Sequence, residues 1–150
     1  TLLIVGKGEL TDYLNTASSS DRAKGRIIIQ GWQPYDMIPE YIAASDICIL
    51  PSLKHEIMSN IVPIKLYEYM AMGKPVIATD HYGIHKEFGD GNGITYVDTP
   101  EDVPGIALLI DESRTYRQIG NTARSRVEDN DWKRIADRFE QILEEACKID

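Results

Sequence analysis

The sequence predicts an α/β fold, a parallel sheet flanked by helices with further helices at the carboxyl end. Two observations carry this. Short apolar runs bounded by turn residues alternate with helix-capable segments, which is the pattern of βαβ units, and from Pro100 onward the pattern is wholly helical. With 150 residues and 43% apolar content the chain can bury a core of its own, so one domain over 1–150 is the expectation.

The elements follow in order. Leu2 to Val5 forms the first strand, entered with no preceding turn and no initiator methionine, so 1–150 reads as a domain excised from a longer two-domain protein. Glu9 to Ser18 is polar and helix-capable, and the cluster Ser18-Ser19-Ser20-Asp21 ends it. Arg26 to Gln30 is the second strand. Asp36 to Ala44 follows as a helix, with Met37, Ile38, Tyr41, Ile42 and Ala44 at helical spacing. Asp46 to Leu50 is the third strand. The loop from Pro51 to Val62 is about twelve residues, against two to six in an ordinary strand-to-helix connection, and loops of that length are often functional. It ends in Ser59-Asn60, read as N-cap residues for a helix with Pro63 in its first turn and Gly73 and Pro75 at its end. Pro75 to Thr79 and Ile94 to Val97 are the last strands. Asp80 to Glu87 between them reads as a loop, because Gly83 argues against a helix there. Helices are expected over Glu101 to Ile110, Arg114 to Val127 and Trp132 to Cys147. The last carries Ile135, Phe139 and Ile142 on one face, which should pack against something.

Charge and composition exclude several classes. The net charge of −8 argues against a general nucleic-acid binder, which needs clustered Lys and Arg. Cys48 and Cys147 have neither paired nor CxxC spacing, so no disulfide framework or zinc site is expected, and a reducing cytoplasm is the simplest compartment. His55, His81 and His85 are too scattered for a local metal site. No apolar segment approaches the ~20 residues of a membrane span, and no signal peptide is evident.

In open α/β sheets ligands bind beyond the carboxyl ends of the strands. The first such loop, Gly6-Lys7-Gly8-Glu9, would let backbone come close to a phosphate or sugar, but Thr11 and Gln30 stand where a dinucleotide fingerprint needs a glycine and a carboxylate. A tight strand-to-helix turn is the plainer reading. At the helix after the long loop, free N–H groups and Lys65 in the first turn suit a pyrophosphate, and Glu68, one turn on, suits a vicinal diol. The alternative is a Lys65–Glu68 surface ion pair worth ~0.2–0.5 kcal/mol. Ser52 lacks the flanking glycines of a nucleophile elbow, and Asp80 and Glu87 are acid or base candidates by location alone.

Taken together, the series Asp46-Ile-Cys-Ile-Leu-Pro51-Ser52, then Pro63-Ile-Lys65-Leu-Tyr-Glu68-Tyr-Met-Ala71-Met-Gly73-Lys-Pro75-Val-Ile-Ala-Thr79, then Gly83 and Glu87, resembles the carboxyl-terminal half of GT-B fold retaining glycosyltransferases, the group 1 or family 4 enzymes. The resemblance extends to Gly6-Lys-Gly8, Gln30-Gly31-Trp32, Gly91-Asn92-Gly93, Ala123-Arg124 and Trp132. It implies a Rossmann-like domain that binds a nucleotide diphosphate sugar, with UDP or GDP as the base carrier and no metal. By the same resemblance Glu68 holds the ribose, the helix before it faces the diphosphate, and Gly31 and Trp32 lie against the base. Gly6, Gly8, Ser59, Ile61 and Val62 complete the donor contacts, with Lys65 and Asn60 as the catalytic positions.

Two departures stand out. Many members carry a glutamate eight residues before the ribose-binding one, where this chain has Asn60, and Glu56 is the alternative carboxylate in the longer loop. The family also brings an Arg and a Lys, and an acceptor-binding domain, from upstream of the first strand here. The chain alone is thus expected to bind donor weakly and to transfer nothing. The resemblance implies polysaccharide or lipid-linked glycan assembly, in the cytoplasm or at the inner membrane face. The rival readings are a sugar-nucleotide epimerase or hydrolase with the same clamp, and a non-catalytic nucleotide-binding domain.

Overall fold

The structure, a computed structural model, describes residues 1–113 and 115–148, so Arg114, the expected start of the helix running to Val127, lies outside the described residues. The chain divides into two compact units, Thr1–Ser45 and Asp46–Asp150.

In the first unit, β1 (Leu2–Ile4) pairs in parallel with β2 (Ile27–Ile29), Leu2 opposite Ile27 and Ile4 opposite Ile29. The crossover between them is α1 (Thr11–Ser18). A 3-10 turn, Tyr35–Met37, runs into α2 (Ile38–Ala44), which buries Ile42.

The second unit has a three-stranded parallel sheet in the order β3 (Cys48–Leu50), β4 (Val76–Thr79), β5 (Ile94–Val97). Its helices are α3 (Glu56–Ser59), α4 (Ile64–Ala71), α5 (Tyr82–Phe88), α6 (Val103–Ser113), α7 (Tyr116–Val127) and α8 (Trp132–Ala146). A 3-10 turn, Pro100–Asp102, closed by a reciprocal Thr99–Asp102 capping box, starts α6. The central strand β4 is buried throughout, and its alternation of side chains builds two cores. Val76 and Ala78 join Leu66 and Met70 of α4, Ile84 and Phe88 of α5, and Ala123 and Val127 of α7. Ile77 joins Val97, Val103 and Ile110. Fully buried side chains such as Leu66, Met70 and Ile77 stabilise by about 1.5–3 kcal/mol each, which makes α4 one of the most firmly seated helices of the unit.

The parallel sheets and flanking helices are those expected, with β1 to β4 each a residue or two shorter than the apolar run and β5 matching it. Asp80 to Glu87 departs from expectation, since most of it is helix α5. Gly83 does not break that helix. It is buried, and a Cβ there would sit 2.7 Å from the carbonyl carbon of Asn60, so the glycine makes room for neighbouring backbone. Helix α8 also departs: none of its residues is buried, and Trp132, Phe139, Ile142 and Leu143 remain exposed.

Candidate functional site

The carboxyl edge of β3 and β4 gathers the candidate residues of the second unit. Pro63 is the N-cap of α4 in extended conformation (φ −67°, ψ 133°), and no side chain caps the helix. Ser59 and Asn60 were expected in that role. Instead Ser59 ends α3 and Asn60 follows it as C-cap, because the His55 ring accepts a hydrogen bond from the Ile57 N–H (3.3 Å) and starts a separate helical turn inside the loop. The first-turn N–H groups of α4 therefore lack a side-chain acceptor, and their partial positive charge is open to an anion. Lys65, second residue of α4, is exposed, and Glu68, one turn on, is half-buried. Ile61 is exposed and donates its N–H to Met58 O (3.2 Å), while Val62 packs on the α4–β4 core. Glu56 is exposed at the start of α3.

The β4–α5 turn lies beside this loop. The Ser52 N–H donates to Thr79 Oγ1 (3.1 Å), and Ser52 Oγ is hydrogen-bonded to His81 Nε2 (2.7 Å). His81 is only 3% exposed. In sequence it is one of three scattered histidines, next to a glycine-containing segment expected as a loop. Its one available signal was position, directly beyond the carboxyl end of an apolar strand. Asp80 and Glu87 are both engaged. The Asp80 carboxylate bonds His85 Nδ1 (3.0 Å), whose ring stacks on Tyr96 at 4.7 Å. Glu87 accepts from the Tyr67 hydroxyl (2.8 Å), which ties α5 to α4. Burial first, and then that Glu87 hydrogen bond, push the Tyr67 hydroxyl up to about 12.

Beyond β1, the Gly6 N–H donates to Gly31 O (2.6 Å), and both glycines have positive φ, 133° and 63°. The Gly8 N–H donates to Thr11 Oγ1 (2.9 Å), and the same hydroxyl donates to Gly8 O (2.7 Å), which turns the chain into α1. Trp32 is 65% exposed.

Another surface depression, at the end of β5, is lined by Val97, Asp98, Glu101, Asp102, Gly105 and Leu109. Its three carboxylates oppose a diphosphate, so it is not the candidate site. Among the described residues no group of three His, Cys, Asp or Glu could hold a metal ion, and no helix is long and apolar enough to cross a membrane.

This arrangement has relatives. The family model for glycosyl transferases group 1 matches residues 1–112. The chain is 34% identical over 82 residues to the amylovoran biosynthesis glycosyltransferase AmsK of Erwinia amylovora, 54% of this chain and 20% of that protein. In fold it is similar to sucrose-phosphate synthase from Thermosynechococcus elongatus (TM-score 0.77, 19% identity, 99% of this chain and 39% of that one). It is similar also to Anabaena HepE in complex with UDP and glucose (TM-score 0.75, 20% identity, 96% of this chain and 40% of that one). The chain thus spans well under half the length of these proteins. Its motif series, its parallel α/β architecture and the family match agree: the chain belongs to the group 1 glycosyltransferases.

Proposed function

We propose that the second unit holds the diphosphate and ribose of a nucleotide diphosphate sugar, for transfer of the sugar to an acceptor with retention of anomeric configuration by the complete protein. One observation carries this reading. The amino end of α4 opens at the carboxyl edge of the sheet without a side-chain cap, and it presents exposed Lys65 with Glu68 one turn behind.

The chemistry follows from charge. Breaking the sugar–phosphate bond adds a third negative charge to the diphosphate, the second on its terminal phosphate. The Lys65 ammonium and the α4 N–H groups, fixed before the reaction, stabilise that charge more than the ground state, which is where rate enhancement arises. The two carboxylate oxygens of Glu68 accept hydrogen bonds from the ribose hydroxyls. Asn60, in the position where many relatives carry glutamate, offers an amide to the transferred sugar, and Ser59, Ile61 and Val62 shape the approach. In the first unit, the exposed Trp32 ring beside Gly31 offers a face on which a base can stack, and Gly6 and Gly8 leave backbone accessible. UDP and GDP are the base carriers proposed, and the leaving charge is assigned to Lys65 and α4 without a divalent ion. That HepE was solved with UDP and glucose supports the donor class.

Thermal unfolding against UDP, GDP, ADP, dTDP and their sugars tests the reading. A ligand at 100 times its Kd adds ~2.7 kcal/mol to stability, a rise of roughly 5 °C in a domain of this size. We expect a base-selective shift that Glu68→Ala abolishes and EDTA leaves unchanged. An equal shift with Glu68→Ala would remove Glu68 from the site.

A further inference from the structure

The β4–α5 turn touches the loop leading into α4 at two separated points. At the start of the loop, Ser52 is held by Thr79 Oγ1 through its N–H and by His81 Nε2 through its hydroxyl. At the end, the Asn60 peptide lies so close to Gly83 that a Cβ there would stand 2.7 Å from its carbonyl carbon and 2.8 Å from its carbonyl oxygen. Between these points residues 53–57 are exposed, and the Lys54–Asp98 ion pair (3.1 Å) that also holds this stretch is solvent-exposed. Beyond Asn60, Ile61 and Val62 lead directly to Pro63, the N-cap of α4.

We infer that His81 and Gly83 are positioning residues: they hold the 52–60 segment against α5 and so fix where the amino end of α4 and Lys65 are presented. The inference rests on the reading of α4 as the donor clamp. His81 suits the task because it is buried and its ring nitrogen is satisfied by Ser52, so removing either partner leaves the other without its hydrogen bond. Gly83 suits it because any side chain displaces the Asn60 peptide, three residues ahead of the N-cap. The Ser52–His81 pair is not read as nucleophile and base. Among the described residues no carboxylate bonds the His81 ring, since Asp80 is turned to His85.

Isothermal titration of UDP and of GDP into the full-length protein tests this, with Ser52→Ala, His81→Leu, His81→Gln and Gly83→Ala each first checked for a cooperative unfolding transition. Losing one hydrogen bond that acts through position should weaken the nucleotide about three- to tenfold in Ser52→Ala and His81→Leu. His81→Gln, which can still reach Ser52, should recover to within about twofold, and the Ser52→Ala/His81→Leu double variant should be no worse than the poorer single one. Gly83→Ala should weaken binding by about tenfold or more, since small displacements of a positioned group are costly. If Gly83→Ala does not fold, the other variants decide alone. Folded variants that all bind as wild type does, or a His81→Gln as impaired as His81→Leu, would overturn the inference while leaving the clamp intact. Wild-type protein that binds neither nucleotide would overturn the clamp, and this inference with it.

Discussion

Two sets of glycines, one in each unit, serve opposite purposes. Around Gly6, Gly8 and Gly31 of the first unit, an added Cβ would meet nothing within 4 Å. In the second unit Gly83 abuts the Asn60 backbone, Gly93 abuts Ala123, and Gly120 of α7 abuts the Gly73 carbonyl just beyond α4. The first set leaves space beside strand ends, and the second set has had its space taken by backbone. A glycine read in sequence is therefore ambiguous between room for a ligand and room for another piece of chain.

The sharpest contrast to break is Gly120→Ala against Gly8→Ala. Helix propensity alone favours alanine at position 120, by about 1 kcal/mol. The clash with the Gly73 carbonyl should reverse that sign and cost about 3 kcal/mol, the upper part of the usual range for overpacking. Gly8→Ala, with open surroundings, should change stability by less than about 0.5 kcal/mol. Urea midpoints at constant slope measure both.

Lys65 is the next test, on chemistry instead of packing. As an exposed residue its loss should leave the urea midpoint nearly unchanged. In the full-length enzyme Lys65→Ala should lower kcat by about a hundredfold, the usual effect of removing one donor to a developing anion. Steady-state kinetics with the preferred donor reads this. Equal stability and equal kcat would leave Lys65 a solvated surface charge.

Smaller effects probe the struts between helices. Tyr67→Phe removes the hydroxyl that bonds Glu87 at 2.8 Å and should cost about 1 kcal/mol in a denaturant titration. Alkaline pH should loosen the same unit. Burial raises the Cys48 thiol from 9.0 to about 11, against a smaller lowering by Lys74, and Tyr67 rises from 10.0 to about 12. In both, folding favours the neutral form, so the contribution is complete below pH 9 and is lost as pH rises through 11 and 12. The urea midpoint should be flat with respect to these groups below pH 9 and fall above it, and Cys48→Ala should flatten the portion between pH 9 and 11.

Much of the fold was legible because its determinants are local. Apolar runs such as Pro75 to Thr79 are recognisable wherever they occur, and the helix of Lys65 and Glu68 has an apolar face at regular spacing that becomes Leu66 and Met70 in the core. The errors came where a distant contact outweighed a local preference. Gly83 looked like a helix breaker because Asn60, 23 positions earlier, was not visible as its neighbour. Ser59 and Asn60 looked like caps of α4 because nothing local announced the extra turn started at His55. The Ser52–His81 bond joins residues 29 positions apart. Helix α8 was legible as amphipathic, yet none of its residues is buried.

The central claim is that the amino end of α4 is the diphosphate site, and the crystal structure of the protein with UDP tests it most directly. The account predicts diphosphate oxygens about 3 Å from the first-turn N–H groups of α4 and from Lys65 Nζ, with the ribose hydroxyls on the Glu68 carboxylate. A diphosphate bound elsewhere, with the α4 amino end and Lys65 facing only solvent, would contradict it.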